Sequence, residues 1–398
     1  MGRHVGTVAD TLAHARGSVR RGTDRTPHDR DTGWEGDVDQ MNNDDLLPPH
    51  GPASCQQPDA YAQLKRVVSG RGLLDRRPSH EMVPAAGIVL LLSVIVVGVA
   101  LTRGSWWALA WTAPAALLFG QLGFLAHDAV HNQIFKTSRA NYRVGLLLFN
   151  LCLGGSRGWW ADKHNAHHAQ PNRLGADPDI DGGVVAVSEE QAGPARGFTR
   201  FMIRHQAATI GPLLALSVVQ IHAYSARYLR DHALRHPRVE LGLIGVHYAV
   251  YFGGLTLVLG VAHGLLFAAI HQLLLGLYLG GAFLPNHVGM PVLSPDAEVD
   301  FLHRQVVTSR NIRAGRCSDY LFGGLSCQVE HHLFPTMPRH HLRTAAPIIR
   351  RFCAEQGIDY CEMSPWDAYR QVFHHLRTVA RAAGARSPVR SGPFPTRA

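Results

Sequence analysis

Four stretches of this chain carry no charge and run close to the roughly 20 apolar residues that cross a bilayer as a helix. They are residues 84–102, 106–126, 241–262 and 265–284. Within each pair only a short connection intervenes, Arg103-Gly104-Ser105 in the first and His263-Gly264 in the second. Buried helices of a large soluble protein are also apolar, but two full-length pairs with almost no room between them favour two transmembrane hairpins. Residues 207–223 are apolar as well, yet arginines flank them on both sides (Arg200 and Arg204, then Arg227 and Arg230). That stretch and 144–153 are expected to lie in, or dip into, the interface. Residues 1–80 are polar and lack sustained periodicity, which predicts disorder with at most a short helix near 61–68. The expected division is a polar region 1–80, a membrane domain 81–380 and a flexible tail 381–398. No basic stretch followed by an apolar run stands near Met1, so no secretory signal is expected. The fold class is therefore an all-α integral membrane protein with four spans.

Charge orients the spans. The two hairpin tips hold one basic residue, Arg103, whereas the longer connections carry Lys65, Arg66, Arg76, Arg77, Lys136, Arg139, Arg143, Arg227, Arg230, Arg235 and Arg238. By the positive-inside rule those connections and both termini are cytoplasmic. The net charge of +9 raises the question of nucleic acid. The basic residues form no aromatic-interleaved stripe, so anionic headgroups or a carrier protein fit them better. Only three of the 39 basic residues are lysine, a bias that points to a GC-rich and hence bacterial genome, and so to a bacterial plasma membrane. Six cysteines show neither CxxC nor framework spacing and read as reduced thiols.

Histidines carry the chemistry. His127 and His131, in HDAVH, are four apart where the second span ends, and so share a helix face. His164, His167 and His168, in HNAHH, stand at i, i+3 and i+4. His331 and His332 follow in QVEHH. A lone HxxxH is weak evidence, but three clusters on one predicted membrane face are not explained by structural roles. Seven imidazoles exceed the four ligands of a closed zinc site and suggest two ions in a helical cap. Imidazole suits Zn, Cu, Fe and Ni alike, so ligand type alone leaves the metal open. Clusters at the cytoplasmic ends of spans would face an amphipathic substrate. An unactivated C–H bond in its apolar chain requires a redox metal and dioxygen, which points to iron.

HDxxH, HxxHH about 30 residues later, and QxxHH after the second hairpin resemble the three histidine boxes of the membrane fatty-acid desaturases. GADPDIDGG, FLPNHVGMP, TSRNI and FPTMPR resemble further family text, and Gln328 in place of a histidine resembles the front-end and linoleoyl-CoA-type branch. The resemblance implies two iron ions held by the seven box histidines, His287 and Gln328, with O2 as co-substrate. The product would be a cis double bond in an acyl-lipid or acyl-thioester chain. Asp128, Asp162, Asp177, Asp179 and Glu330 would orient imidazoles by accepting their second N–H, although a turn-forming role is equally open for the DPDID group. His247, His263 and His271 are expected to be polar tips facing the bundle, and His340 and His341 not to bind metal. Many front-end desaturases carry a fused cytochrome-b5-like domain marked by HPGG. This sequence contains no HPGG, so a separate ferredoxin- or cytochrome-like donor and its reductase are expected, docking on the basic face. The alternatives are a lipid hydroxylase using the same boxes and, from another class, a histidine-rich metal transporter. Transporters place ligands near the bilayer midplane, whereas these clusters sit at helix ends.

Overall fold

The computed structural model describes residues 59–384, apart from 182, 233–235 and 314. Within the region expected to be polar and disordered, residues 59–80 are described, and they fold. Asp59 caps helix α1 (Ala60–Gly70) by accepting from the backbone N–H of Tyr61. Leu64 and Val68, four apart on one face, are fully buried. Each such burial is worth about 1.5–3 kcal/mol, which an 11-residue helix, too short to be stable alone, could not supply by itself.

The first hairpin is α2 (Pro78–Leu101) and α3 (Trp106–Val130), the latter starting as a 3-10 stretch to Trp111. Pro78 sits in the first turn of α2, where its missing N–H costs nothing. The second hairpin begins in the same way, with Pro237 in the first turn of α9 (Pro237–Leu259), and α10 (Val261–His287) completes it. Between them lie α4 (Ser138–Leu146, continuing as a π turn Leu147–Cys152), α5 (Arg157–Ala169) and α6 (Gly197–Arg204). Then come α7 (Gln206–Ala215) and α8 (Ser217–Asp231), bent by 63° at Leu216. Residues 207–223 fall across that bend, the shape of a broken span or a re-entrant loop. Of the other stretch assigned to the interface, Leu148, Phe149 and Asn150 are buried, packed against α3 and α9.

Helices α9 (Pro237–Leu259) and α10 (Val261–His287) turn at Gly260, three residues before the expected joint. Gly260 takes φ +78°, a conformation open to glycine at no steric cost, and so sets the turn. All four spans run beyond their apolar segments. That extension carries His127 on α3 and His287 on α10 to the same end of the bundle, where α3 and α10 pack together.

The remaining elements form the cap: α11 (Phe301–Val307), β1 (Arg310–Ile312), α12 (Arg316–Leu321), α13 (Gln328–Leu333), α14 (Arg339–Glu355), β2 (Cys361–Met363) and α15 (Pro365–Gly384). β1 and β2 pair in parallel, with Asn311 opposite Glu362. An apolar core made by α1, α11, α13 and α14, including Leu64, Leu302, Val306, Val329, Leu333 and Ile349, holds α13 rigidly beneath the spans.

Candidate metal centre

Histidine nitrogens converge in two groups. His127 and His131 from the end of α3, His164 and His168 from α5, and His331 from α13 offer ligand atoms all within 4.8 Å of one another. His167 (α5), His287 (α10) and His332 (α13) make a second group at the same limit. On α5 the spacing of four sends His164 and His168 one way, while His167, about 100° round the helix, faces the other group. His331 and His332, adjacent on α13, divide between the groups for the same reason. All eight rings are buried except His287, which is half-buried.

The Nε2 atoms of His164 and His331 lie 3.2 and 3.1 Å from that of His168. Two nitrogens each about 2.1 Å from one ion stand about 3.0–3.4 Å apart for bond angles between octahedral and tetrahedral. The spacing is thus that of shared coordination. Burial, reinforced by neighbouring imidazoles, holds His164, His168, His331 and His332 well below the ordinary 6.5 and pushes His131 down to about 3. At neutral pH these rings are uncharged with a lone pair to give, and His127, His131 and His332 each bury an Nε2 that has no partner. Buried polar atoms are rarely left unpaired, and these aim at the two centres. The donor set fits metal ions.

Several rings are held from behind. His127 Nδ1 lies 3.3 Å from Asp128, whose other oxygen takes a 2.6 Å ion pair from Arg339. His167 Nδ1 donates to Asp177 at 3.0 Å, and Asp177 also accepts from the backbone N–H groups of Asn172 and Asp179 at 2.7 and 2.9 Å. The Asp179 carboxylate approaches His167 Nδ1 at 3.4 Å and also pairs with Lys163. His287 Nδ1 donates to the Thr308 carbonyl at 3.0 Å. The Gln328 amide touches His287: its Nε2 lies 3.0 Å from the ring Nε2.

Two carboxylates are not where the sequence reading put them. Asp162 accepts from the hydroxyl of Tyr228 and meets no histidine among the described residues. Two residues before His164 on a helix is about 200° away, the far face of α5. Glu330 is fully buried but accepts from Asn311 Nδ2 and Tyr360 Oη, each at 2.7 Å, on the side of α13 facing the strands. His247 and His271 are buried between spans, bonded to the Leu151 carbonyl and to Tyr251. His263 packs on Trp106 at the hairpin tips. His340 pairs with Glu81, and neither it nor His341 joins a histidine group.

A family model described as fatty acid desaturase matches residues 105–364. The chain belongs to the fatty acid desaturase family. It is 36% identical to an acyl-lipid (9-3)-desaturase of Physcomitrium patens over 67% of this chain and 52% of that protein. It is 29% identical to a Delta(5) fatty acid desaturase of Caenorhabditis elegans, covering 83% of the chain and 76% of that protein. A Delta(8)-fatty-acid desaturase of Arabidopsis thaliana is 27% identical over the same shares. The chain thus spans about half the length of the moss relative. These relatives belong to the front-end branch that Gln328 suggested. All three are eukaryotic, so they lend no support to the bacterial source expected from scarce lysine. Family and apolar helices together fit an integral membrane protein.

For this desaturase-family chain, the sequence reading missed one fully buried side chain between the two groups. Gln305, on α11, accepts from His332 Nδ1 at 3.0 Å and donates to the His168 carbonyl at 2.9 Å. The text TSRNI, three residues on, was the nearest signal, but nothing local marks Gln305 itself.

Proposed function

We propose that the chain is an O2-dependent acyl desaturase with two iron sites, one formed by His127, His131, His164, His168 and His331 and the other by His167, His287, His332 and Gln328. The observation that carries this reading is the sorting of eight imidazoles, seven of them buried, into two adjacent groups at the mouth of an apolar bundle. Bound iron would supply the redox chemistry: O2, two electrons and two protons are consumed, two hydrogens leave adjacent acyl carbons, and two waters form with the double bond.

The chain's own residues do the positioning. α3 and α10 bring His127, His131 and His287 to the end of the apolar layer, so an acyl chain lying among the spans meets the centre without leaving a dry environment. The carbon attacked is then chosen by how far the chain can extend along the bundle, a matter of orientation. Asp128 and Asp177 hold ring nitrogens in place. The substrate is an acyl-lipid, as the name of the Physcomitrium patens relative suggests, or an acyl-thioester. A separate electron-carrying protein supplies the electrons, docking on the cytoplasmic face that bears the centre.

The test is the fatty-acid profile of cells expressing the chain, read by gas chromatography and mass spectrometry. A new cis-unsaturated acid is expected, lost in His168→Ala and in His332→Ala at matched expression. A hydroxylated acid in its place would make the protein a hydroxylase. A profile identical to that of the variants would sink the acyl-oxidising reading.

A further inference from the structure

We propose that Gln305 is the positioning residue that makes His332 a metal ligand, and that short helix α11 thereby sets the chemistry of the second histidine group. The inference rests on the two-metal reading above and extends it to a residue outside the histidine boxes.

Hydrogen-bond directions fix the state of the His332 ring. α5 ends at Ala169, so the carbonyl of His168 is one of the last four of that helix and has no intrahelical partner. It is answered by Gln305 Nε2 at 2.9 Å. A carbonyl only accepts, which fixes the Gln305 amide: Nε2 faces His168 and Oε1 faces His332. Oε1 in turn only accepts, so His332 Nδ1 at 3.0 Å must carry the ring proton. A neutral imidazole has one N–H, and therefore His332 Nε2 carries the lone pair. That atom is buried, has no partner, and points at His167 and His287.

The same helix sets a second ring. Thr308, three residues beyond Gln305 and directly after α11, presents its carbonyl to His287 Nδ1 at 3.0 Å, which puts the lone pair on His287 Nε2, where the Gln328 amide sits at 3.0 Å. Asp177 does this for His167. Each of the three rings thus has its proton fixed away from the centre, two of them by α11. Gln305 also ties the groups together, since the carbonyl it holds belongs to His168 of the five-histidine group.

The experiment compares wild type, Gln305→Met, Gln305→Glu, His332→Ala and the Gln305→Met/His332→Ala double variant, each loaded with iron in the membrane and purified. Iron per chain and its rate of loss to a chelator are measured. Partners of this kind change metal affinity about 10- to 100-fold, so Gln305→Met should lose one of two irons about that much faster. The double variant should lose no more than His332→Ala alone. Protonated glutamate can donate to a carbonyl and accept from an imidazole, so Gln305→Glu should retain iron nearly as wild type. If Gln305→Met disrupts folding, judged by the thermal midpoint of the metal-free protein, the milder Gln305→Asn takes its place. Iron retention by Gln305→Met equal to wild type overturns the proposal. So does a Gln305→Glu variant as leaky as Gln305→Met, because the residue would then only fill space. Should wild type hold fewer than two irons, the two-metal reading fails. A faster loss of whatever is held in Gln305→Met still supports Gln305, and an unchanged loss still overturns it.

Discussion

Gln328 shows what a single side chain contributes at this centre. His287 Nδ1 gives its proton to Thr308, so His287 Nε2 is an acceptor, and Gln328 Nε2 donates to it at 3.0 Å. Gln328 Oε1 meanwhile accepts from Asn286 at 3.1 Å, and Asn286 Oδ1 is buried with no partner. The amide occupies the place a cation would take. Turning both amides over would present an oxygen to an ion and give Asn286 Oδ1 an N–H to accept. Gln328→Ala is therefore expected to cut the ratio of unsaturated to saturated acyl chains at least about tenfold, as loss of a metal-site partner does, with insertion unchanged. Gln328→His should keep part of the activity, since it offers a nitrogen at the same position. A near wild-type ratio for Gln328→Ala would remove Gln328 from the centre while leaving the histidines. Box histidines were legible because spacings of three and four fix a helix face. Asp162 and Glu330 were misread because sequence proximity to a histidine is not orientation toward it. Gln305 was invisible because both of its contacts are long-range, to His168 and His332.

Elements were legible where one property decided them. Charge-free length defined all four spans, and the arginine flanks marked 207–223 as unlike them. The turn of the second hairpin was misplaced because Gly260 and Gly264 both look like turns. Only Gly260 has positive φ, whereas Gly264 admits the backbone of Leu255, which a Cβ there would meet at 3.0 Å. α1 was barely visible, since its order comes from packing on Leu333 and its neighbours rather than from its own 11 residues. Packing also explains the bend between α7 and α8. A Cβ on Gly276 of α10 would lie 2.4 Å from the carbonyl oxygen of Ala215 and 2.8 Å from that of Leu214. Backbone cannot yield as a flexible side chain does, and such overpacking costs about 1–3 kcal/mol. Gly276→Ala is expected to lower the thermal midpoint in detergent. Gly253→Ala, on α9 with nothing within 4 Å of its Cβ, should leave it unchanged or higher. Equal effects at both positions would mean that α7 does not seat on α10 in this way.

At the scale of the whole molecule, the cap concentrates buried titratable groups whose effects on stability run in opposite directions. His131, His164, His168, His331 and His332 have folded values depressed by burial and by one another. Unfolded histidine titrates near about 6.5. As pH falls through that value the unfolded chain gains protons that the folded chain refuses, so the metal-free protein loses stability on the acid side. Glu330 works the other way: burial, partly offset by Asn311 and Tyr360, raises its carboxyl to about 7. The unfolded carboxyl ionises near about 4.3 while the folded one keeps its proton, so this contribution is lost between about pH 4.3 and 7 and falls no further above that. Five histidines outweigh one carboxyl below pH 7, so the thermal midpoint of metal-stripped protein should rise with pH over a scan from pH 5 to 8 and level off above about 7. Glu330→Gln should steepen that rise, because a neutral amide removes the opposing loss. Iron loading should lift the acid side, because coordinated nitrogens no longer compete for protons until the ion is displaced. A midpoint that falls from pH 5 to 7, or an acid side unmoved by iron, would show that these groups do not titrate as their burial requires.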